Sequence, residues 1–424
     1  MSIHKPVSLI LLIIGCSIGV SYGQAARSPF SSFGLGEEYG TALAQGQGMG
    51  GIGVSNPSYL YINNQNPALL VYNRLTTFQA GVIGEQRSQK SDSLSEKSGN
   101  GNLNYLVMSF PVIPGWWTSS FGLMPFTRLN YRFIYRELIA GTNNQYTDII
   151  DEGSGGVNQF YFSNGVSLNK SISVGIKASY LFSSAESTYA NLIVNTSTPL
   201  SAKINDRTFV SDFQFSPAIS IHLDSLTRKN FRLNIGIVYD FKTSLDVKFN
   251  RTLERWSGLG LIDSTTVIRN KPGTIILPGN LMVGVSFSPR PYRWIAGLDA
   301  SYSDYSVYRD LEGKNPYAAN SWRVSGGFEI TPDRTSLSNY LKRMSYRTGV
   351  SIENYPFLTN GNPVRDFGIT FGLSLPVNRI SSLDLALKIG KKGDKALNGI
   401  EENYLKLYFG ITFNDQWFIK RRFD

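Results

Sequence analysis

The chain has 424 residues and a formal net charge of +10, with 23 Tyr, 25 Phe, 41 Gly, one Cys and two His. One cysteine excludes a disulfide framework and a cysteine-built metal centre, and two histidines leave little material for general-base or metal chemistry. A mean hydropathy of -0.14 excludes a bundle of membrane helices, since each span needs about 20 mostly apolar residues.

The first 23 residues read as a cleaved secretory signal: Lys5, an apolar run over 6–20, then Ser21-Tyr22-Gly23. Ile13-Ile14-Gly15-Cys16 also has the form of a lipoprotein processing box, although apolar sequence continues beyond it. Residues 24–72 do not alternate and are rich in small residues from 42 to 53, ending at Asn66-Pro67-Ala68. Such a stretch of tight turns and close backbone approaches suits a hatch that plugs a lumen, with a loose N-terminal arm as the plainer alternative. Gly46, Gly48 and Gly51 match G-x-G-x-x-G, but no strand precedes them and no βαβ unit surrounds them, so they do not indicate a dinucleotide site.

No composition shift or linker divides the chain after residue 73, which favours one large closed sheet over several soluble domains. Fourteen strands are predicted at 75–84, 102–112, 119–129, 157–168, 171–183, 208–222, 230–246, 278–288, 291–304, 319–330, 344–354, 365–375, 380–390 and 402–413. The last three show the pattern best. Phe367, Ile369, Phe371, Leu373 and Leu375 alternate with Gly368, Thr370, Gly372 and Ser374; the segments 382–390 and 405–413 divide in the same way. Strict alternation over about ten residues is what lipid on one face and a lumen on the other require. Connections alternate between long (85–101, 130–156, 184–207, 247–277, 305–318, 355–364, 391–401) and mostly short, with 331–343 a longer turn that has room for a helical turn. A soluble sandwich has no reason to sort its loops this way. The expectation is an all-β transmembrane barrel over 73–413, closed by the hatch and followed by a basic aromatic tail over 414–424.

Alternation turns Lys177, Arg232, Asp240, Asp299, Arg323, Glu329, Arg347, Glu353, Asp384, Lys388 and Lys406 inward. They either pair with one another inside a filled lumen, or a subset of cations, Arg323, Arg347 and Lys388, lines a route. Pro125 interrupts the third predicted strand, and proline inside a ladder implies an edge, a bulge or a kink. Tyr131, Phe133, Tyr135, Tyr305, Tyr308 and Tyr317 in the outer connections offer either a capture surface for a hydrophobic ligand or an interface girdle. His222 with Asp224 is the only histidine and carboxylate available for a hydrolase. The one G-x-S-x-G match, 19–23, lies in the predicted signal, so no enzymatic activity is expected.

Taken together, the Gly-rich segment ending in Asn66-Pro67-Ala68, the Pro278-led stretch 277–287 followed by 294–305, and the stretches 322–328 and 346–350 resemble the FadL/TodX family of outer-membrane transporters. That resemblance implies a 14-stranded barrel, an N-terminal plug and passive uptake of hydrophobic small molecules such as long-chain fatty acids or aromatic hydrocarbons. It also implies lateral exit at a kinked third strand, where Pro125 falls. It makes a hydrophobic ligand and outer-membrane lipid the partners; the residues themselves offer no cofactor motif and no metal site, and Lys and Arg scattered rather than clustered point to a lipopolysaccharide-facing surface and not to nucleic acid. The family pattern stops at the last strand, whereas this chain continues through Trp417, Phe418, Lys420, Arg421, Arg422 and Phe423. That tail and Ser28-Pro29-Phe30-Ser31-Ser32-Phe33-Gly34 look like outer-membrane proteins of Bacteroidota. This second resemblance implies an alternative role, a structural, accessory or plug subunit of a larger outer-membrane secretion or assembly complex.

Overall fold

The computed structural model describes residues 26–92, 95–139, 141, 145–194, 200–224, 231–289 and 292–416. The predicted signal, Cys16 and all but the first three residues of the predicted tail lie outside them. Twenty strands, β1 to β20 in chain order, form one antiparallel sheet system. A two-residue strand, β1 (Glu37–Glu38), comes first. Fourteen others close into a barrel. They are β2 (Thr76–Ser91), β3 (Ser95–Ile113), β4 (Trp117–Pro125), β7 (Val157–Ser167), β8 (Ile172–Ser183), β10 (Leu200–Asp224) and β11 (Phe231–Asp240). The wall continues through β14 (Asn280–Pro289), β15 (Trp294–Ser303), β16 (Ser321–Ile330), β17 (Ser345–Thr359), β18 (Asn362–Pro376), β19 (Ser382–Lys392) and β20 (Ile400–Asp415). Each predicted strand corresponds to one of these. β2 pairs with β20 from Thr76↔Asp415 to Ser91↔Ile400, so first and last strands join and the wall has no edge there.

The alternation read from the sequence is the wall's two faces. Phe367, Ile369, Phe371 and Leu373 are exposed on the outside, while Asp366, Thr370 and Ser374 between them are buried inside. Val350 and Ile352 face out; Arg347 and Ser351 face in. Burying that outer band in hydrocarbon satisfies it, because the main-chain groups of these strands are bonded to their neighbours in the wall. One end of the barrel carries the short turns. The connection after β16 holds the helical turn Tyr340–Arg343, started by the Asn339 side chain accepting from Leu341 N at 3.0 Å.

At the other end, the predicted long loops are largely strand. β5 (Thr127–Leu138), β6 (Tyr146–Gly155), β9 (Ala185–Val194), the first half of β10, β12 (Thr243–Ser257) and β13 (Gly260–Leu277) pair in that order as a sheet standing beyond the wall. The signal was present in Leu129, Tyr131, Phe133 and Tyr135, and in Leu245, Val247 and Phe249. Water on much of both faces dilutes the alternation further along these strands. The predicted strands 119–129 and 230–246 accordingly run β4 into β5 and β11 into β12. Leu35, Leu181, Val210, Leu245, Val247, Ile275, Tyr305 and Tyr308 make an apolar cluster at the base of this sheet.

Candidate functional site: the occupied lumen

Residues 26–75 run through the barrel from the loop end to the turn end. Ala26 N donates to Glu85 Oε1 at 3.1 Å, and Phe30 packs against Tyr355, Phe357 and Val364 in the loop-end half of the wall. Further down, Met49 and Ile52 pack against Ile295. At the turn end the Tyr59 ring lies under Arg334 and the Tyr72 ring meets His222 edge-on at 5.4 Å, before the chain turns into β2. Asn66, Pro67 and Ala68 fix the final bend. Asn66 Oδ1 accepts from Ala68 N at 2.9 Å, Asn66 Nδ2 donates to Val54 O at 2.6 Å, and Pro67 opens the 3-10 helix Pro67–Tyr72 where its missing N–H costs nothing.

The wall receives this segment through backbone rather than through side chains. Inward glycines of seven wall strands, Gly165, Gly175, Gly236, Gly284, Gly327, Gly349 and Gly372, lie against it. A Cβ on Gly349 would strike the amide of Gly50 and the carbonyl carbon of Met49; one on Gly236 would strike the carbonyl of Val54. Neither neighbour can swing aside as a side chain would. Polar wall residues then bond the segment's main chain. Asp299 Oδ2 accepts from Gly53 N (2.7 Å) and Val54 N (2.9 Å), and Thr370 Oγ1 accepts from Gly50 N (2.8 Å). Arg323 Nη2 donates to Gly50 O at 2.8 Å, Gln79 Oε1 accepts from Ile62 N at 2.8 Å, and Asn414 Nδ2 donates to Leu60 O at 3.0 Å.

Two ionic clusters lie inside. Toward the loop end, the Arg87 guanidinium bonds Glu37 (3.0 Å), Glu85 (3.0 Å) and Glu402 (2.7 Å), and Lys392 Nζ lies 2.5 Å from Glu37. Glu37 belongs to the inner segment and the other four to the wall, so the cluster ties the two together. Nearer the turn end, Arg347 Nε donates to Glu329 at 2.5 Å and Arg347 Nη1 to Ser374, which bonds Asp384. The three cations singled out from the sequence therefore do not form one row. Arg347 lies near the turn end of β17, Arg323 near the loop end of β16, and Lys388 sits over the Tyr404 ring at 5.6 Å. The Arg87 cluster was missed because the first strand was ended at residue 84. Continued by three residues, the period of two puts Glu85 and Arg87 on the inner face with Gln79, and Lys392 and Glu402 join by pairing.

Pro125 does end a ladder. β4 stops there, Phe126 breaks the strand, and the chain continues as β5 in the outer sheet with β6 as its partner. The β3–β4 ladder reaches only Leu106↔Leu123, so above that pair β3 bonds β2 alone and a gap separates β3 from β5. Residues 27–38 occupy it. Arg27 O accepts from Gln89 Nε2 (2.5 Å) and from Ser98 Oγ (3.3 Å), and Arg27 pairs with Glu96 on β3. On the far side Ser28 N donates to Asn130 O at 2.8 Å and β1 pairs with β5 as Glu37↔Arg128 and Glu38↔Thr127.

The proposed capture aromatics divide. Tyr305 and Tyr308 are buried and pack with half-buried Tyr317 over Leu35, so those three form a lid core rather than an open surface. Tyr131 is buried too, and Tyr135 is exposed. At the turn end a cleft of ≈ 840 Å³, counting its open mouth, is lined by Tyr59, Tyr61, Tyr292, Arg293, Arg334 and Arg347 among others. Beside it, the hydroxyl and amide of Thr335 donate to Asp333 and hold its carboxyl below the usual range.

Residues 3–424 match the sequence profile of the family described as BamG. No curated protein matches the chain. Among solved structures it is similar to the toluene transporter TodX of P. putida, at 15% identity and TM-score 0.59 over 91% of this chain and 100% of that one. The toluene transporter TbuX of Ralstonia pickettii gives 12% identity and TM-score 0.58 over 90% and 99%. A FadL homologue of Pseudomonas aeruginosa gives 12% and 0.55 over 89% and 98%. At these identities the likeness establishes a shared fold.

Proposed function

The chain belongs to the BamG family, and on that premise we propose that it is a closed outer-membrane barrel acting as an accessory subunit of a larger outer-membrane assembly complex. In this reading residues 26–75 are a fixed plug and the wall is a scaffold. The observation that carries it is the gap beside Pro125: in a FadL-type barrel this is the lateral way out, and here residues 27–38 are bonded to both of its banks. Releasing the segment would break six main-chain bonds to Asp299, Thr370, Arg323, Gln79 and Asn414, each contributing about 0.5–1.5 kcal/mol, or about 1.5–3 kcal/mol where one partner is charged. It would also strand three carboxylates around Arg87. A passive carrier supplies no energy for that in every cycle. The family match points the same way, toward an assembly-related role. Lipid covers the outer band, and lipopolysaccharide surrounds the loop end. Purification from native outer membranes in mild detergent, with mass spectrometry of proteins and lipids, tests the reading. Stoichiometric partner proteins and no bound hydrophobe are expected; a lone barrel carrying a fatty acid or aromatic hydrocarbon overturns it.

A second reading, passive uptake of hydrophobic small molecules, is favoured by the break at Pro125 and by the fold shared with TodX and TbuX. It requires residues 27–38 to leave the gap. A disulfide engineered between this segment and β3 would abolish uptake of a hydrophobic tracer under this reading and leave the accessory role unchanged.

A further inference from the structure

The outer sheet has two lateral edges, and they are finished differently. β5 is covered at its base by β1 and the Ser28 amide, and along its length carries Arg132 and Arg136, each paired to a carboxylate on β6. Charged side chains of this kind discourage a further strand. Over its first nine residues β13 has no such cover, and its one charged side chain there, Asp263, is paired to Arg255 on β12. Among the described residues β13 pairs with β12 on one side only, and on the other it makes a single bridge, Ile276↔Arg309, near its foot. From Gly260 to Ile268 the sequence is apolar or β-branched apart from Asp263 and Ser264, and Leu261, Ile262 and Val267 are all more than half exposed. Asn270, in the left-handed region at φ 48, and Pro272 then end the run. An exposed, flat, β-prone edge invites strand addition.

We propose that the free edge of β13 over 260–268 is a docking site for an extended, acidic segment of a partner protein, added as a further strand. This deepens the accessory-subunit reading and rests on it. The edge supplies the main-chain bonds that give such contacts their affinity. The acidic character follows from Arg269 and Lys271, exposed cations just past the run, and from Lys248 on β12 opposite Pro272, which hold no ion pair among the described residues. Opposite charges facing across neighbouring strands stabilise a sheet pairing. A second copy is a poorer fit, since it would bring the same exposed Arg269 and Lys271 to this edge, like charge facing like.

The test is amide hydrogen exchange of 260–268 in the natively purified complex and in the isolated barrel. A photo-crosslinker at Thr266 and the variant R269E/K271E complete it. The expected result is at least tenfold slower exchange in the complex, a crosslink into an acid-bearing extended stretch of the partner, and at least tenfold weaker co-purification of the variant. Equal exchange in a recovered complex, or a crosslink into a second copy, overturns the docking site and leaves the accessory reading standing. Lipopolysaccharide on the three cations would leave the amides unprotected and counts against it equally. Recovery of a lone barrel defeats the accessory reading and this inference together.

Discussion

The wall and the segment inside it are held by opposite means. The wall is a closed ladder whose side chains alternate from Pro363 to Ser374 in β18, and its outer face is fastened by lipid. The inner segment has almost no regular structure. It is held where glycines let two backbones touch and where Asp299, Thr370, Gln79 and Asn414 bond its main chain. The difference teaches that removing a side chain can build an interface as surely as adding one. A groove of inward glycines specifies the path of the segment, and ordinary residues there would forbid it.

The largest effect that separates the two regions is expected from Gly236→Leu. Overpacking usually costs about 1–3 kcal/mol and occasionally more; here the obstacle is the Val54 carbonyl oxygen, well inside contact distance of where a Cβ would sit and unable to rotate away, so the cost exceeds that range. The segment should leave the lumen while the wall still migrates as a folded barrel, and a planar bilayer should show a steady conductance absent from the parent protein. An unchanged closed bilayer trace would mean that the segment is anchored elsewhere. Next comes Arg87→Met, which leaves Glu37, Glu85 and Glu402 without their cation. Breaking a buried ion cluster from one side costs about 3–5 kcal/mol, and maleimide should then label a cysteine placed at buried Ser31 many times faster. Equal labelling would show that Lys392 alone holds Glu37. The smallest is Phe371→Arg on the lipid face, about 2–4 kcal/mol if the position is near mid-membrane. It should lower the thermal unfolding temperature of the barrel without opening a conductance. A conductance appearing with it would couple wall and segment more tightly than their contacts indicate.

Much of this was legible along the chain. Fourteen strands could be read because lipid and lumen impose a period of two that each strand carries by itself, as at Phe367 to Leu373. Asn66-Pro67-Ala68 stood out only as the end of a non-alternating segment and as part of a resemblance; that Asn66 caps a 3-10 helix there was seen in the structure. Pro125 marked a break in its strand from chemistry alone, since a proline donates nothing to a ladder. What the sequence left unread depends on which strands become neighbours. The outer sheet needs β10 to extend past the wall and pair with β9 and β12, and no local pattern announces which other strands it will meet. The Arg87 cluster collects Glu37, Lys392 and Glu402 from distant parts of the chain, and only barrel closure between β2 and β20 brings them together. Whether the gap beside Pro125 stood open or filled was likewise a matter of tertiary structure. Alternation is a property of one strand and survives in a list of residues; a plug is a property of two surfaces that meet, and exists only once the wall has closed around it.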